Sequence, residues 1–295
     1  MKFTTLPLKH NFLGIYKKFS SFEHSKIVLL PCPYEKTTSY GKGTAKGPEA
    51  ILKASHYVEF FDEETLKEIC FTYGIGAIKP LSFTKLNPKK SLNNIYKNVK
   101  QLIELGKFVV TLGGEHTISA ATIKAHYDSY KDLSVLHFDA HSDLRDTYEG
   151  IKYSHACFAA RVAEFTTDIT QVGIRAQCKE EFEFIKQKSI NTFYAYKMRK
   201  EGFDDNMIRK IISTLKENVY ITFDVDYFDP SIMPSTGTPE PNGFYWDETM
   251  RLLKRVCKER KVVGFDVVEL APRKDFSFPD FLTAKLIYKI LNYCF

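Results

Sequence analysis

Hydrophobic positions fall into two alternating patterns along this chain. Short runs in which almost every residue is apolar or β-branched recur at KIVLLPCPY (26–34), KFVVTLGG (107–114), LSVLHFDAH (133–141), DITQVGIR (168–175), NVYITFDVD (218–226) and KVVGFDVVE (261–269). Strands this continuously apolar are buried on both faces, as in parallel sheets. Between them lie segments with helical spacing: 90–106, 119–130, 179–187, 204–217, 247–259 and the tail FPDFLTAKLIYKILNY. Gly106 stands where a helix C-cap belongs, and Asp247 is placed to cap the start of its helix. Alternating β and α elements predict an α/β fold with a doubly wound, mainly parallel sheet and helices on both faces. No Gly/Ser linker or internal repeat interrupts the pattern, so residues 1–295 are expected to form a single domain. The longest irregular stretch runs from Pro230 to Gly243, too long for a simple connection and therefore a candidate functional loop.

Four of the predicted strands end in chemistry. They run into Gly113-Gly114-Glu115-His116, Asp139-Ala140-His141-Ser142-Asp143, Asp224-Val225-Asp226 and Asp266-Val267-Val268-Glu269. Ligand sites in open α/β sheets form beyond the carboxyl ends of the strands. The acids and histidine of DAHSD fall two residues apart and share one side of an extended chain; DVD repeats that spacing. Asp139, Asp143, Asp224 and Asp226 bring four negative charges beside His116 and His141, and carboxylates in a dry site must be neutralised. Two divalent cations would balance them, with some carboxylates bridging and a bound water acidified into a nucleophile. A donor set rich in carboxylate, with two imidazoles and no thiol, suits manganese better than structural zinc. Asp229 breaks the two-residue parity and precedes Pro230, which points to a turn.

GGEHT, DAHSD and FDVDYFDPSIMPSTGTPEPNG in that order, with TTSYGKGTAKGPEAI before them and GFDVVELAP after, resemble the ureohydrolase family, the arginases and agmatinases, over nearly the whole chain. The resemblance implies a three-layer α/β/α sandwich and two Mn²⁺ ions. One would be bound by His116 and Asp143 and the other by His141 and Asp226, with Asp139 and Asp224 bridging. It implies hydrolysis of a guanidinium to urea and an amine, with Asp143 carrying the proton. Glu269 would bind the guanidinium, a planar cation suited to a carboxylate fork, and His155 would lie near the substrate and assist proton transfer. Ala156-Cys157 departs from the Gly-Thr or Gly-Met common in the family, and Ser235 and Asn242 stand where many relatives carry glycine. Cys157 is expected to pack rather than react.

The run LRDTYEGIKYSH and the GTPEPNG segment follow the agmatinase pattern, so agmatine is the expected substrate, with putrescine as product and polyamine synthesis as the pathway. Asp146 and Glu149 offer anions for its distal amine, while Arg145 would suit the carboxylate of arginine. Arginine and aminopropylagmatine are the alternatives. A binuclear phosphoesterase is a more distant one, lacking a basic phosphate cradle here; a non-catalytic relative would have lost ligand positions, and none is lost.

Composition narrows the setting. Of 295 residues 44% are hydrophobic, ample for one large core. Net charge is +6, but 36 acids accompany 42 scattered bases, which describes a solvated surface rather than a nucleic-acid patch. Six cysteines without close-spaced pairs suit free thiols of a reducing compartment. No window reaches membrane-span length and the N-terminal segment lacks a signal-peptide core. The expectation is a cytoplasmic enzyme that binds neither nucleic acid nor membrane, assembled as a homo-oligomer, a trimer or hexamer as is common in the family.

Overall fold

Burial on both faces requires helices packed above and below the sheet, and both layers are present. In the computed structural model, which describes residues 3–295, the strands are β1 (Ile27–Cys32), β2 (Ile75–Ala77), β3 (Phe108–Gly113), β4 (Leu133–Phe138), β5 (Ile169–Ile174), β6 (Asn191–Tyr194), β7 (Asn218–Asp224) and β8 (Lys261–Val268). Their order is β2-β1-β3-β8-β7-β4-β5-β6. Every neighbouring pair is parallel, so the sheet is wholly rather than mainly so. β7 and β8 fill the gap left between β3 and β4. The four strands that end in polar motifs therefore lie side by side at the centre of the sheet.

Alternation along each strand divides the core into two layers. Ile27, Leu29, Val110, Leu136, Ile221 and Phe265 pack with the helices Gly47–Ser55, Asp205–Ser213, Trp246–Glu259 and Phe278–Cys294. Val28, Leu30 and Val109 face the opposite side, against Pro88–Glu104 and Ser119–Tyr127. The result is the expected three-layer α/β/α sandwich.

Helix ends show which local signals were sound. Gly106 has φ +73°, its N–H donates to Ile103 O at 2.9 Å and the Lys107 N–H donates to Leu102 O at 3.1 Å. That pair of bonds closes the helix in a Schellman turn. Asp247 does not cap: it lies inside the first turn, and Glu248 reaches back so that Oε1 accepts the Tyr245 N–H at 2.8 Å. Asp229 is a turn former as expected. Its Oδ1 accepts from Ser231 N and Oγ at 3.0 and 2.6 Å, and its Oδ2 accepts from Gly243 N at 3.0 Å. One carboxylate thus closes both ends of the Pro230–Gly243 loop. Asn242 takes φ +66° there, a left-handed conformation that asparagine tolerates, so a side chain stands in a glycine-like position. No helix among the described residues is long and apolar enough to cross a membrane.

Candidate metal centre

The site starts with turns made by the acids themselves. β4 ends at Phe138, and Asp139 Oδ1 accepts the His141 N–H at 2.6 Å. β7 ends the same way, with Asp224 Oδ1 accepting the Asp226 N–H at 2.8 Å. DAHSD and DVD are therefore Asx-type turns rather than extended chain, because a short acid competes for its neighbour's backbone hydrogen. Asp226 Oδ1 in turn accepts the Ala140 N–H at 3.0 Å, tying the two turns together. Each of these acids uses Oδ1 on backbone and turns Oδ2 toward the centre, where Asp139 Oδ2 also meets His137 Nε2 at 2.7 Å.

The Oδ2 atoms converge. His116 Nδ1 lies 3.0 Å from Asp139 Oδ2, 3.2 Å from Asp224 Oδ2 and 3.4 Å from Asp143 Oδ2. His141 Nδ1 lies 2.9 Å from Asp226 Oδ2 and 3.6 Å from Asp139 Oδ1. Asp139 therefore reaches both histidines. His116 and the four acids are buried, and the salt bridges of these acids among the described residues involve histidine alone. His116 Nδ1 is buried and makes no well-formed hydrogen bond despite its three carboxylate neighbours. Set against one another the acids repel: burial and Asp139 push the Asp143 carboxyl up to about 6, while burial, Asp226 and Asp139 push Asp224 well up. An orphaned imidazole nitrogen aimed at mutually repelling oxygens is a donor set that fits divalent cations. Asp139, His141 and Asp226 present ligand atoms close enough to share one ion.

Two of the residues sit in strained backbone. Asp143 has φ +51° and Glu269 φ +64°, which costs about 1–3 kcal/mol each and clusters at functional sites. Glu269 is held by its N–H on Gly114 O at 2.9 Å and by Oε1 accepting the His116 N–H at 2.6 Å. Gly114 must be glycine, because a Cβ there would meet Tyr34 O at 1.9 Å. Burial and the nearby Glu115 raise the Glu269 carboxyl well above its ordinary range. Glu269, Asp143 and His155 line one cavity of about 290 Å³ together with His141, Asp224 and Asp226. His155 stands across it, with its N–H on Thr37 Oγ1 at 3.1 Å and its Nδ1 3.3 Å from the same oxygen. Burial lowers its basicity.

A profile described as the arginase family matches residues 25–292. The chain belongs to the arginase family. The N(1)-aminopropylagmatine ureohydrolase of Synechocystis sp. is 37% identical over 280 residues, 93% of this chain and 90% of that protein. The agmatinase of Bacillus anthracis is 35% identical over 270 residues, covering 88% and 89%. The crystal structure of the agmatine ureohydrolase of Thermoplasma volcanium superposes with a TM-score of 0.86 at 29% identity, covering 95% and 93%.

Within this arginase-family fold, the cavity rim departs from expectation. Asp146 pairs with Arg161 Nη2 at 2.7 Å and does not line the cavity, and neither does Glu149, an exposed turn residue at φ +50°. Neither is placed to meet a substrate amine. Arg145 does line the cavity, with its Nε 3.8 Å from Glu181 Oε2 and its guanidinium over the Tyr148 ring. Glu181 itself accepts the Leu144 and Cys178 N–H groups at 2.9 and 2.7 Å. That leaves Glu240, part-exposed on the cavity wall, with Oε1 3.8 Å from His141 Nε2. It lies within GTPEPNG, so the segment was legible although its acid was passed over.

Three supporting residues also escaped the sequence reading. Arg175 donates to the carbonyls of Asp226, Glu240 and Pro241 at 2.6, 3.0 and 3.1 Å, fixing the long loop to the DVD turn. Glu115 accepts from Lys36 N, Thr37 N and Thr37 Oγ1 at 2.6–2.8 Å, which sets the segment that holds His155. His137 Nε2 lies 2.7 Å from Asp139 Oδ2, while Gln171 Nε2 is 3.2 Å from its Nδ1. The amide is pinned by Ser142 O and Thr192 Oγ1, so His137 Nδ1 accepts and Nε2 donates to Asp139. The two-residue spacing that singled out DAHSD extends back to His137 and could have found it. Cys157 packs as expected, and burial pushes its thiol up to about 12.

Proposed function

We propose that this ureohydrolase cleaves the guanidinium of a small cationic guanidino amine, releasing urea and the parent amine, with residues 1–295 acting as one domain. The observation that carries this reading is the convergence of carboxylate Oδ2 atoms on His116 and His141 Nδ1, beside a strained, buried Glu269 in the same cavity. His116 and Asp143 would hold one Mn²⁺ ion and His141 and Asp226 the other, with Asp139 and Asp224 between them. The ions would supply Lewis acidity and an acidified water as nucleophile. Glu269 keeps one oxygen on the His116 N–H and offers the other to the guanidinium, orienting its carbon over the cluster. Asp143 would take the proton of the attacking oxygen on the carboxylate oxygen not given to the ion and return it to the departing amine. His155, kept neutral by burial, relays protons between cavity and solvent.

Agmatine, yielding putrescine for polyamine synthesis, is the simplest substrate for this site. Arg145 lines the same cavity, its Nε 3.8 Å from Glu181 Oε2, and is the group there that would suit the carboxylate of arginine, which makes arginine the control substrate. A second reading, N1-aminopropylagmatine, is favoured by the activity that names the Synechocystis relative. Both compounds carry an amine beyond the guanidinium, for which Glu240 is the available acid. Glu240→Gln is expected to raise KM about tenfold for agmatine and aminopropylagmatine, and not to raise it for 4-guanidinobutyrate, whose carboxylate stands where the amine would and is relieved of a like charge. Urea release across these substrates and arginine checks it; an equal loss on guanidinobutyrate would move Glu240 out of amine recognition, and turnover of arginine above agmatine would overturn the substrate choice.

The proposal includes a cytoplasmic setting, in keeping with six free cysteines, and a homo-oligomer, trimer or hexamer. Exposed Tyr57, Phe278 and Phe281 around one surface groove support the latter. Sedimentation measures it.

A further inference from the structure

Behind His116, at its other ring nitrogen, a further acid is buried in the middle of the sheet. Asp266 on β8 is the registered neighbour of Thr222 on β7. Both are fully buried. Thr222 Oγ1 lies 2.6 Å from Asp266 Oδ1 and 2.9 Å from His116 Nε2. The other carboxylate oxygen, Oδ2, takes the hydroxyls of Tyr220 and Thr122 at 2.8 and 2.9 Å. An acid approached by three hydroxyls is an acceptor, and a hydroxyl has one hydrogen to give. Thr222 gives its hydrogen to Asp266, so its lone pairs face His116 Nε2 and, at 3.3 Å, the Ser119 hydroxyl. An imidazole facing a lone pair carries its hydrogen on that nitrogen. His116 then has Nε2–H toward Thr222 and a bare Nδ1 toward Asp139, Asp143 and Asp224.

We propose that Asp266, acting through Thr222, is a positioning residue that fixes which ring nitrogen of His116 carries the hydrogen and so keeps Nδ1 available as a ligand. The inference rests on the metal reading of the site. It adds a relay of Asp266, Thr222 and His116 set by strand register. His141 has no such support: its Nε2 faces Glu240 at 3.8 Å, on the cavity wall. The relay therefore serves one of the two proposed positions.

Removal of such partners typically lowers metal affinity about 10–100-fold. Thr222→Val keeps the shape and removes the hydroxyl, Thr222→Ser restores the hydroxyl, and Asp266→Asn removes the charge that directs it. The test is Mn²⁺ binding to the full chain, by stoichiometry and competition with a chelating dye, together with the electron paramagnetic resonance spectrum and the melting temperature of metal-free protein. Thr222→Val is expected to lose one of two equivalents in the 10–100-fold range and to replace a coupled two-ion spectrum with that of an isolated ion. Thr222→Ser should return both equivalents within about threefold of wild type. Asp266→Asn should weaken the same equivalent without the other, which separates the relay from general destabilisation if the valine variant melts early. Two equivalents at wild-type affinity in both Thr222→Val and Asp266→Asn would overturn the relay, as would a serine variant no better than valine. Wild type binding no ion pair would instead overturn the site reading beneath it.

Discussion

Asp224→Asn is expected to abolish urea release, with a fall on the order of 10³ or more, and to lose bound manganese. Asp224 has no spare role to lose. Its Oδ1 makes the turn that presents Asp226, and its Oδ2 lies 3.2 Å from His116 Nδ1. An amide can keep the first contact, with its carbonyl on the Asp226 N–H, but then turns an NH₂ group toward the place where a cation would sit. Removing one negative charge from a set of four also leaves two divalent cations unbalanced. The informative control is Asp229→Asn, five residues on. Asp229 binds Ser231 and Gly243 and closes the long loop, so its loss is expected to lower the melting temperature while manganese content stays near two per chain. Metal analysis and a urea assay on the two proteins, side by side, check both. Full activity in Asp224→Asn would remove the bridging role.

Glu269→Gln should separate binding of substrate from binding of metal. Its Oε1 is occupied by the His116 N–H at 2.6 Å. A glutamine would keep its carbonyl on that donor and aim its NH₂ into the cavity, where a guanidinium presents only N–H groups. A charge-assisted acceptor becomes a donor facing donors. The loss expected is about 3–4 kcal/mol, a fall of about 10²–10³ in kcat/KM, with manganese content unchanged. Steady-state urea release with agmatine, beside metal analysis, measures it. Loss of manganese together with activity would make Glu269 part of the metal cluster instead.

Much of this architecture was legible because it follows from burial. Six strands announced themselves by unbroken apolar runs, since central parallel strands have no wet face. β2 and β6 did not, and both are edges of the sheet: β2 has three residues and β6 is only part-buried. Helix Gly47–Ser55 was hidden by its opening Gly-Pro, residues that read as a break although proline is favourable in a first turn. In the site, the acids and histidines were found by spacing, but the geometry behind the spacing was different. Asx-type turns, not extended chain, turn Asp139 and Asp224 toward the centre. What spacing cannot reveal is which acid a nearby base will claim. Asp146 and Arg161 are fifteen residues apart, and only folding brings them to 2.7 Å. Asp266 was in view at the end of β8, yet its part depends on register with Thr222 across a strand pair.

The most direct test of the central claim is anomalous diffraction at the manganese edge from crystals of the reconstituted protein. Two peaks are expected in the cavity, one beside His116 Nδ1 and the other beside His141 Nδ1, with Asp139 reaching both. A map without peaks there, or with manganese bound only elsewhere on the surface, would contradict it.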